Sequence, residues 1–236
     1  MDHRDRIIVA LDCAPDEALG LARRLSGEAR WLKVGMTLYY AQGPTVVAAL
    51  KELGYQVFVD LKLHDIPHQV RGAAASLVRA GADMLTVHAS GGLEMLVAAL
   101  EGIESAALPG QAPISLAITV LTSLDAAALN AAGVADTPAQ QAIRLAGLAK
   151  GAGLSGVVAS PLEAADCAAL LGPAAEVVTP GVRPRGAALD DQSRVATPAA
   201  ALAAGATRLV IGRPITNAPD PLAAYREILR ELEDEA

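Results

Sequence analysis

The chain has 236 residues, of which 53% are hydrophobic and only 3% aromatic, and its formal net charge is −7. That length suits one large domain with a sizeable core of Ala, Val, Leu and Ile. The acidic balance and the scatter of the basic residues exclude general affinity for nucleic acid.

Residues 1–6, Met-Asp-His-Arg-Asp-Arg, lack the apolar centre of a signal peptide and lead straight into an apolar run. Short β-branched runs then alternate with Ala/Leu-rich helical runs. The pattern predicts strands over 7–12, 31–36, 56–62, 84–89, 114–121, 156–160, 176–180 and 208–212. It predicts helices near 15–26, 41–53, 67–80, 91–106, 138–152, 161–171, 197–204 and 221–233. Thr137 before Pro138 and Asp220 before Pro221 read as N-caps followed by Pro at the first helical position. Gly54, Gly81, Gly153 and Gly205 stand where helices should stop.

Eight βα units in this length describe a (β/α)8 TIM barrel, a single α/β domain over residues 1–236. A doubly wound sheet would more often carry a Gly-rich fingerprint after its first strand. Here that turn reads Asp12-Cys13-Ala14-Pro15. Cys13 and Cys167 are the only cysteines and lie far apart, the pattern of a reduced cytosolic protein without a disulfide framework. Cys13 reads as a packed bystander thiol. The uncharged run over 105–124 contains Pro109, Gly110, Gln111 and Pro113 and reads as a loop plus one buried strand. A soluble, cytoplasmic protein is therefore expected, with neither membrane nor nucleic-acid partners. The stretch 122–155 carries room for a short extra helix near 124–132. It is a lid or an insertion without function.

The most informative element is Asp60-Leu61-Lys62-Leu63-His64-Asp65-Ile66-Pro67, which closes the apolar run Val57-Phe58-Val59. Alternation along a strand points Asp60 and Lys62 the same way, with Asp65 just past the strand end. A Lys gripped by two carboxylates stays protonated and is a ready general acid. Strand parity turns Asp12 and Lys33 inward as well, giving the alternating row Asp12, Lys33, Asp60, Lys62 at the C-terminal rim, where such barrels do their chemistry. An ordinary buried ion-pair network is the alternative. Four inward charges on three consecutive strands favour a functional site.

Strand eight ends in Val210-Ile211-Gly212-Arg213-Pro214, and strand seven in Thr179-Pro180-Gly181-Val182-Arg183-Pro184. Loops after strands seven and eight frequently bind phosphate in these barrels. Gly212 permits close backbone approach, and Arg183 and Arg213 supply guanidinium forks. Thr122 and Ser123 are placed to hydrogen-bond a heterocycle or to cap the next helix. His88 reads as a satisfied core histidine. Pro67 between His64 and His68 spoils a helical metal pair, and no metal-ligand set is found.

Together these residues resemble the orotidine 5′-monophosphate (OMP) decarboxylase family. The resemblance rests on the eight-residue element above and on the order of Val9-Ala10-Leu11-Asp12, Lys33-Val34-Gly35, Leu121-Thr122-Ser123, residues 179–184, Gln192-Ser193-Arg194 and Ile211-Gly212-Arg213-Pro214. It runs from the first strand to the eighth. It implies a carboxy-lyase that converts OMP to UMP and CO2 without a cofactor, in the last step of de novo UMP synthesis. It also implies a homodimer with active sites shared at the interface. By position, Lys62 would protonate C6 of the pyrimidine and Asp60 would sit beside the substrate carboxylate. Lys33 would bridge Asp60 and the ribose, while Asp12 would bind a ribose hydroxyl. Asp65 and Ile66 would reach into the partner's site. Thr122 would contact the base, Gln192 would span base and phosphate, and Arg183, Gly212 and Arg213 would hold the phosphate. Two rivals remain. One is a Mg2+-dependent sugar-phosphate barrel with the same D-x-K-x-x-D skeleton, against which the Asp65-Ile66-Pro67 continuation, Thr122 and Gln192 speak. The other is a non-catalytic nucleotide-phosphate binder, which has no need of Lys62 among carboxylates.

Overall fold

The run Ile7-Ile8-Val9-Ala10 forms a strand in which every residue is buried, as are those over Trp31–Gly35 and Arg208–Ile211, and the other five strands are buried except at their ends. Strands covered on both faces read as continuous apolar runs, as these do. A computed structural model of the chain describes residues 2–184 and 196–234. Its strands are β1 (Ile7–Ala10), β2 (Trp31–Gly35), β3 (Gln56–Leu63), β4 (Met84–His88), β5 (Ile114–Ile118), β6 (Gly156–Val158), β7 (Glu176–Thr179) and β8 (Arg208–Ile211). All pairings are parallel and follow chain order, and β8 pairs back with β1 to close the barrel.

The helices are α1 (His3–Arg6), α2 (Pro15–Leu25), α3 (Met36–Gln42), α4 (Thr45–Glu52), α5 (Pro67–Arg79) and α6 (Leu93–Ala106), the last preceded by a 3-10 turn at Ala89–Gly91. They continue with α7 (Ala126–Ala131), α8 (Pro138–Ala152), α9 (Ala164–Leu171), α10 (Pro198–Ala203), α11 (Arg213–Thr216) and α12 (Pro221–Asp234). This is a single-domain (β/α)8 barrel. Both expected N-caps are in place. Thr137 and Gln140 form a capping box at α8, and Asp220 Oδ1 accepts from the backbone N–H groups of Leu222 and Ala223, both at 3.1 Å.

Alternating side chains divide each strand between two cores. Inside the barrel pack Ile8, Ala10, Trp31, Phe58, Met84, Leu116, Val178 and Val210. The other parity, with Ile7, Val9, Leu32, Val34, Val57, Val59, Leu85 and Val87, meets the helices in a larger core. The N-terminal end is closed by Arg208. Its guanidinium stacks 4.8 Å over Trp31, bonds Glu176 Oε1 and donates to the Asp5 carbonyl at 2.7 Å. Polar groups at this end serve stability, which leaves the opposite rim for chemistry.

Three helices lie outside the expected set. Asp2 caps α1 through a bond from the Arg4 amide. The helix expected over 41–53 is α4, and α3 is an additional helix ahead of it, the two separated at Gly43 and Pro44. Gly43 takes a φ of 64° with a ψ of −156°, a backbone conformation open to glycine that stops α3. Met36, expected to end the second strand, instead starts α3. The short α11 begins at Arg213, directly after β8.

Candidate active site

Three strands deliver the charged row, and each link in it is a direct contact. Lys33 Nζ lies 2.9 Å from Asp12 Oδ1 and 3.5 Å from Asp60 Oδ2. Lys62 Nζ lies 2.9 Å from the same Asp60 oxygen. Lys33 and Asp60 are buried, whereas Asp12 is exposed at the mouth. Burial by itself would lift the Asp60 carboxyl, but Lys33 and Lys62 hold it below the usual carboxylate range. Burial likewise works against the Lys33 ammonium, and Asp60 and Asp12 outweigh it, so that its pKa stands above the ordinary lysine value. Both groups are therefore charged at neutral pH. Gly35 makes the Asp12–Lys33 pair possible, because a Cβ there would stand 2.7 Å from Asp12 Oδ1.

Lys62 sits on an irregular stretch of β3. Val59 pairs with Leu85 and Leu63 with Val87, so Asp60, Leu61 and Lys62 lie opposite Thr86 alone. Lys62 has a φ of 51°, and no other non-glycine among the described residues has positive φ. Such strain clusters at functional positions. Thr86 Oγ1 donates to Asp60 Oδ1 at 3.0 Å and accepts from the Lys62 amide at 2.9 Å. Thr86 lies outside the set of site residues expected from sequence. Its signal was available, since Met84, Thr86 and His88 share the inward parity on β4 and Thr86 is the polar residue between them.

The row lines a cavity of about 540 Å3 at the C-terminal mouth of the barrel. Of the residues singled out from sequence, Asp12, Lys33, Asp60, Lys62, Thr122, Arg183, Gly212 and Arg213 all line it. Basic and acidic groups of β1–β3 thus share one space with the two arginines that follow β7 and β8. Arg183 is buried and donates to the Val182 carbonyl at 3.1 Å. Gln192 lies outside the described residues. The walls between the polar ends are apolar, with Ile118, Val120, Val158 and Val210. Thr216 and Asn217, at the end of α11 and just beyond it, also line the cavity and were not anticipated.

Two expectations need correction. Within one chain Lys62 is not gripped by two carboxylates. Asp65 is exposed, lies off the cavity and accepts the Ile66 amide at 2.7 Å. Lys33 is the ammonium that takes two carboxylates, because β1 and β3 flank β2 in the barrel and sequence proximity does not. His88 is half-buried rather than a core residue. It pairs with Ser90 Oγ at 2.7 Å, and its ring stacks on His64 at 5.2 Å. Cys13 is partly buried against the core, and burial pushes its thiol up to about 11, which suits a bystander. The α7 cap is Asp125, whose carboxylate accepts the Ala128 amide at 2.8 Å, so Thr122 does not serve that purpose.

Comparison with known proteins adds an independent line. The family model "Orotidine 5′-phosphate decarboxylase / HUMPS family" matches residues 5–228. The orotidine 5′-phosphate decarboxylase of Cutibacterium acnes is 53% identical over 225 residues, covering 94% of each chain. That of Moorella thermoacetica is 53% identical over 238 residues, covering 99% of this chain and 94% of its own. The crystal structure of the orotidine 5′-phosphate decarboxylase from Lactobacillus acidophilus superposes with a TM-score of 0.85 at 38% identity, over 96% of this chain and 98% of that one. With the match running from before β1 into α12 and the charged row intact at the barrel mouth, this chain belongs to the orotidine 5′-phosphate decarboxylase / HUMPS family.

Proposed function

We propose that this protein is an orotidine 5′-monophosphate decarboxylase, a carboxy-lyase that forms UMP and CO2 in the last step of pyrimidine nucleotide synthesis. The observation that carries the reading is the unbroken row Asp12–Lys33–Asp60–Lys62 in one cavity with Arg183 and Arg213. An anionic phosphate fits the arginine end, and a reacting carboxylate fits the Asp60–Lys62 end.

Decarboxylation without an electron sink must lower a barrier by an amount in the enzymatic range of about 8–23 kcal/mol. Asp60 faces the substrate carboxylate. Two such groups about 4 Å apart repel by roughly 4 kcal/mol at an effective dielectric of 20, a repulsion relieved as CO2 leaves. Lys62 approaches C6 and delivers a proton as negative charge gathers on the ring. Its attraction grows along the reaction coordinate, which is what accelerates the chemical step. Lys33 fixes Asp60 from the other side and meets the ribose with Asp12. Thr122 contacts the base. Gln192 spans base and phosphate, and Arg183, Gly212 and Arg213 hold the phosphate. Binding energy gathered there aligns the ring at the far end of the cavity. Asp65 and Ile66 act in the site of a second copy, so that the working unit is a cytoplasmic homodimer.

The test is loss of the orotate absorbance when purified protein meets OMP, with and without exhaustive chelation. Turnover is expected to survive EDTA. The carboxylates a divalent cation would need are engaged by Lys33 and Lys62, and Lys62 supplies the proton. A large loss restored by Mg2+ would favour a metal-dependent sugar-phosphate enzyme instead. Binding of UMP without any turnover of OMP would favour a nucleotide binder.

Arg213→Ala is expected to lower kcat/KM for OMP by about 10- to 100-fold, the weight of a charge-assisted bond or two. The same change should leave orotidine, which has no phosphate, nearly untouched. Equal losses on both substrates would make Arg213 a structural residue.

A further inference from the structure

Thr86 is wholly buried on β4, and its one hydroxyl makes two bonds to β3. The side chain stands opposite three residues of the neighbouring strand, two more than a regular ladder allows. That bulge takes the Lys62 amide out of step with the β4 carbonyls, and the Thr86 oxygen accepts it at 2.9 Å. The same group donates to Asp60 Oδ1 at 3.0 Å, leaving Oδ2 for Lys62 and Lys33. We propose that Thr86 is a positioning residue of the decarboxylation, a clasp that ties the carboxylate of Asp60 to the backbone of Lys62 and so sets the aim of both.

The inference rests on the decarboxylase reading above. The terminal torsion of an aspartate is broad, so ion pairs on Oδ2 alone leave the carboxylate free to turn. A donor on Oδ1 stops it. Lys62 meanwhile holds a φ of 51°, which a side-chain-bearing residue adopts only when its surroundings impose it. The Thr86 oxygen is the acceptor that meets the amide of that strained residue. Asp60 and Lys62 would otherwise be two residues on a locally irregular strand, and small errors of aim are costly in catalysis. The hydroxyl also favours the charged carboxylate, in the same direction as the two ammonium groups.

The test uses the full-length enzyme with Thr86→Val, which keeps the shape and removes the hydroxyl, Thr86→Ser, which keeps the hydroxyl, and Thr86→Cys, a weak hydrogen-bonder. Thr86→Val is expected to lower kcat on OMP by about 10- to 100-fold, the effect of one hydrogen bond to a charged group, with UMP affinity unchanged within a few-fold. Thr86→Ser should restore kcat. Removing the donor raises the pH at which Asp60 takes a proton, so the acidic limb of kcat should move upward in the Val variant and stay put in the Ser variant. A Val variant with wild-type kcat and pH profile would overturn the proposal. So would a Ser variant as impaired as the Val one, which would make the role one of packing. Should the Val variant fail to fold, Thr86→Cys decides: kcat well below that of Ser supports the clasp, and equal values overturn it. A wild-type protein that does not turn over OMP refutes the decarboxylase reading itself, an outcome separate from any of these.

Discussion

Lys62→Ala is expected to lower kcat on OMP by about 10^4-fold or more, the combined weight of a general acid and of an oriented charge that stabilises the transition state. Of the two ammonium groups in the row, Lys62 is the more open to the cavity, its side chain 29% exposed against 9% for Lys33. It is therefore the one that can meet a ring carbon. Lys33, closed in between Asp12 and Asp60, is placed to hold rather than to react. Removing the Lys62 ammonium leaves Asp60 with Lys33 at 3.5 Å and Thr86 at 3.0 Å, so the carboxylate stays partnered. UMP has no carboxylate to oppose Asp60 and keeps the phosphate proposed for the arginine end. Its binding should survive within a few-fold, and the loss should fall on kcat rather than on ground-state affinity. Single-turnover decay of the orotate absorbance, together with calorimetric titration of UMP, checks both halves. A variant that keeps most of its kcat would mean that Lys62 is not the proton donor.

Asp65→Ala is expected to abolish nearly all turnover in a homodimer and to be rescued by mixing with Lys62→Ala. Asp65 lies past the end of β3, exposed and off its own chain's cavity, and the neighbouring Ile66 is 64% exposed. A carboxylate and an apolar side chain held out in this way by the start of α5 suit insertion into a second copy. Under a closed two-fold arrangement each site then draws on both chains. In a mixed dimer one site collects both defects and the other is intact. Random exchange of equal amounts makes about half of the dimers mixed, so about a quarter of all sites should regain activity. If Asp65 instead served its own chain, every site would keep one defect. Mixing under conditions that demonstrably exchange subunits, with no activity regained, would rule out the shared site.

All eight strands begin where the apolar pattern puts them, at Ile7, Trp31, Gln56, Met84, Ile114, Gly156, Glu176 and Arg208. Burial on both faces demands the apolar runs that identify these strands, although Gln56, Gly156, Glu176 and Arg208 at their first positions are not apolar side chains. Their C-terminal ends are less legible. β1 stops at Ala10 and β8 at Ile211, short of Asp12 and Gly212, because the chain leaves the ladder there to line the cavity. Helices with a cap and a Pro in the first turn, such as α8 and α12, were readable from local chemistry. The four-residue α1 and α11 were not, since segments so short carry no periodicity.

The same division runs through the site. Strand parity was enough to bring Asp12, Lys33, Asp60 and Lys62 to one rim, because a strand's period of two is a local property. Which of them touch was decided by barrel closure and register. Lys33 falls between the carboxylates of Asp12, just past β1, and Asp60 on β3, whereas Asp65, three residues from Lys62 in sequence, points elsewhere. Thr86, 26 residues from Asp60, became part of the site only through the bulge that sets it opposite Asp60 and Lys62. Residue types and local spacing by themselves determined the strands, the faces and the inventory of charges. Their pairing was left to the tertiary structure, because contacts between residues distant in sequence depend on the register of neighbouring strands, which no local pattern encodes.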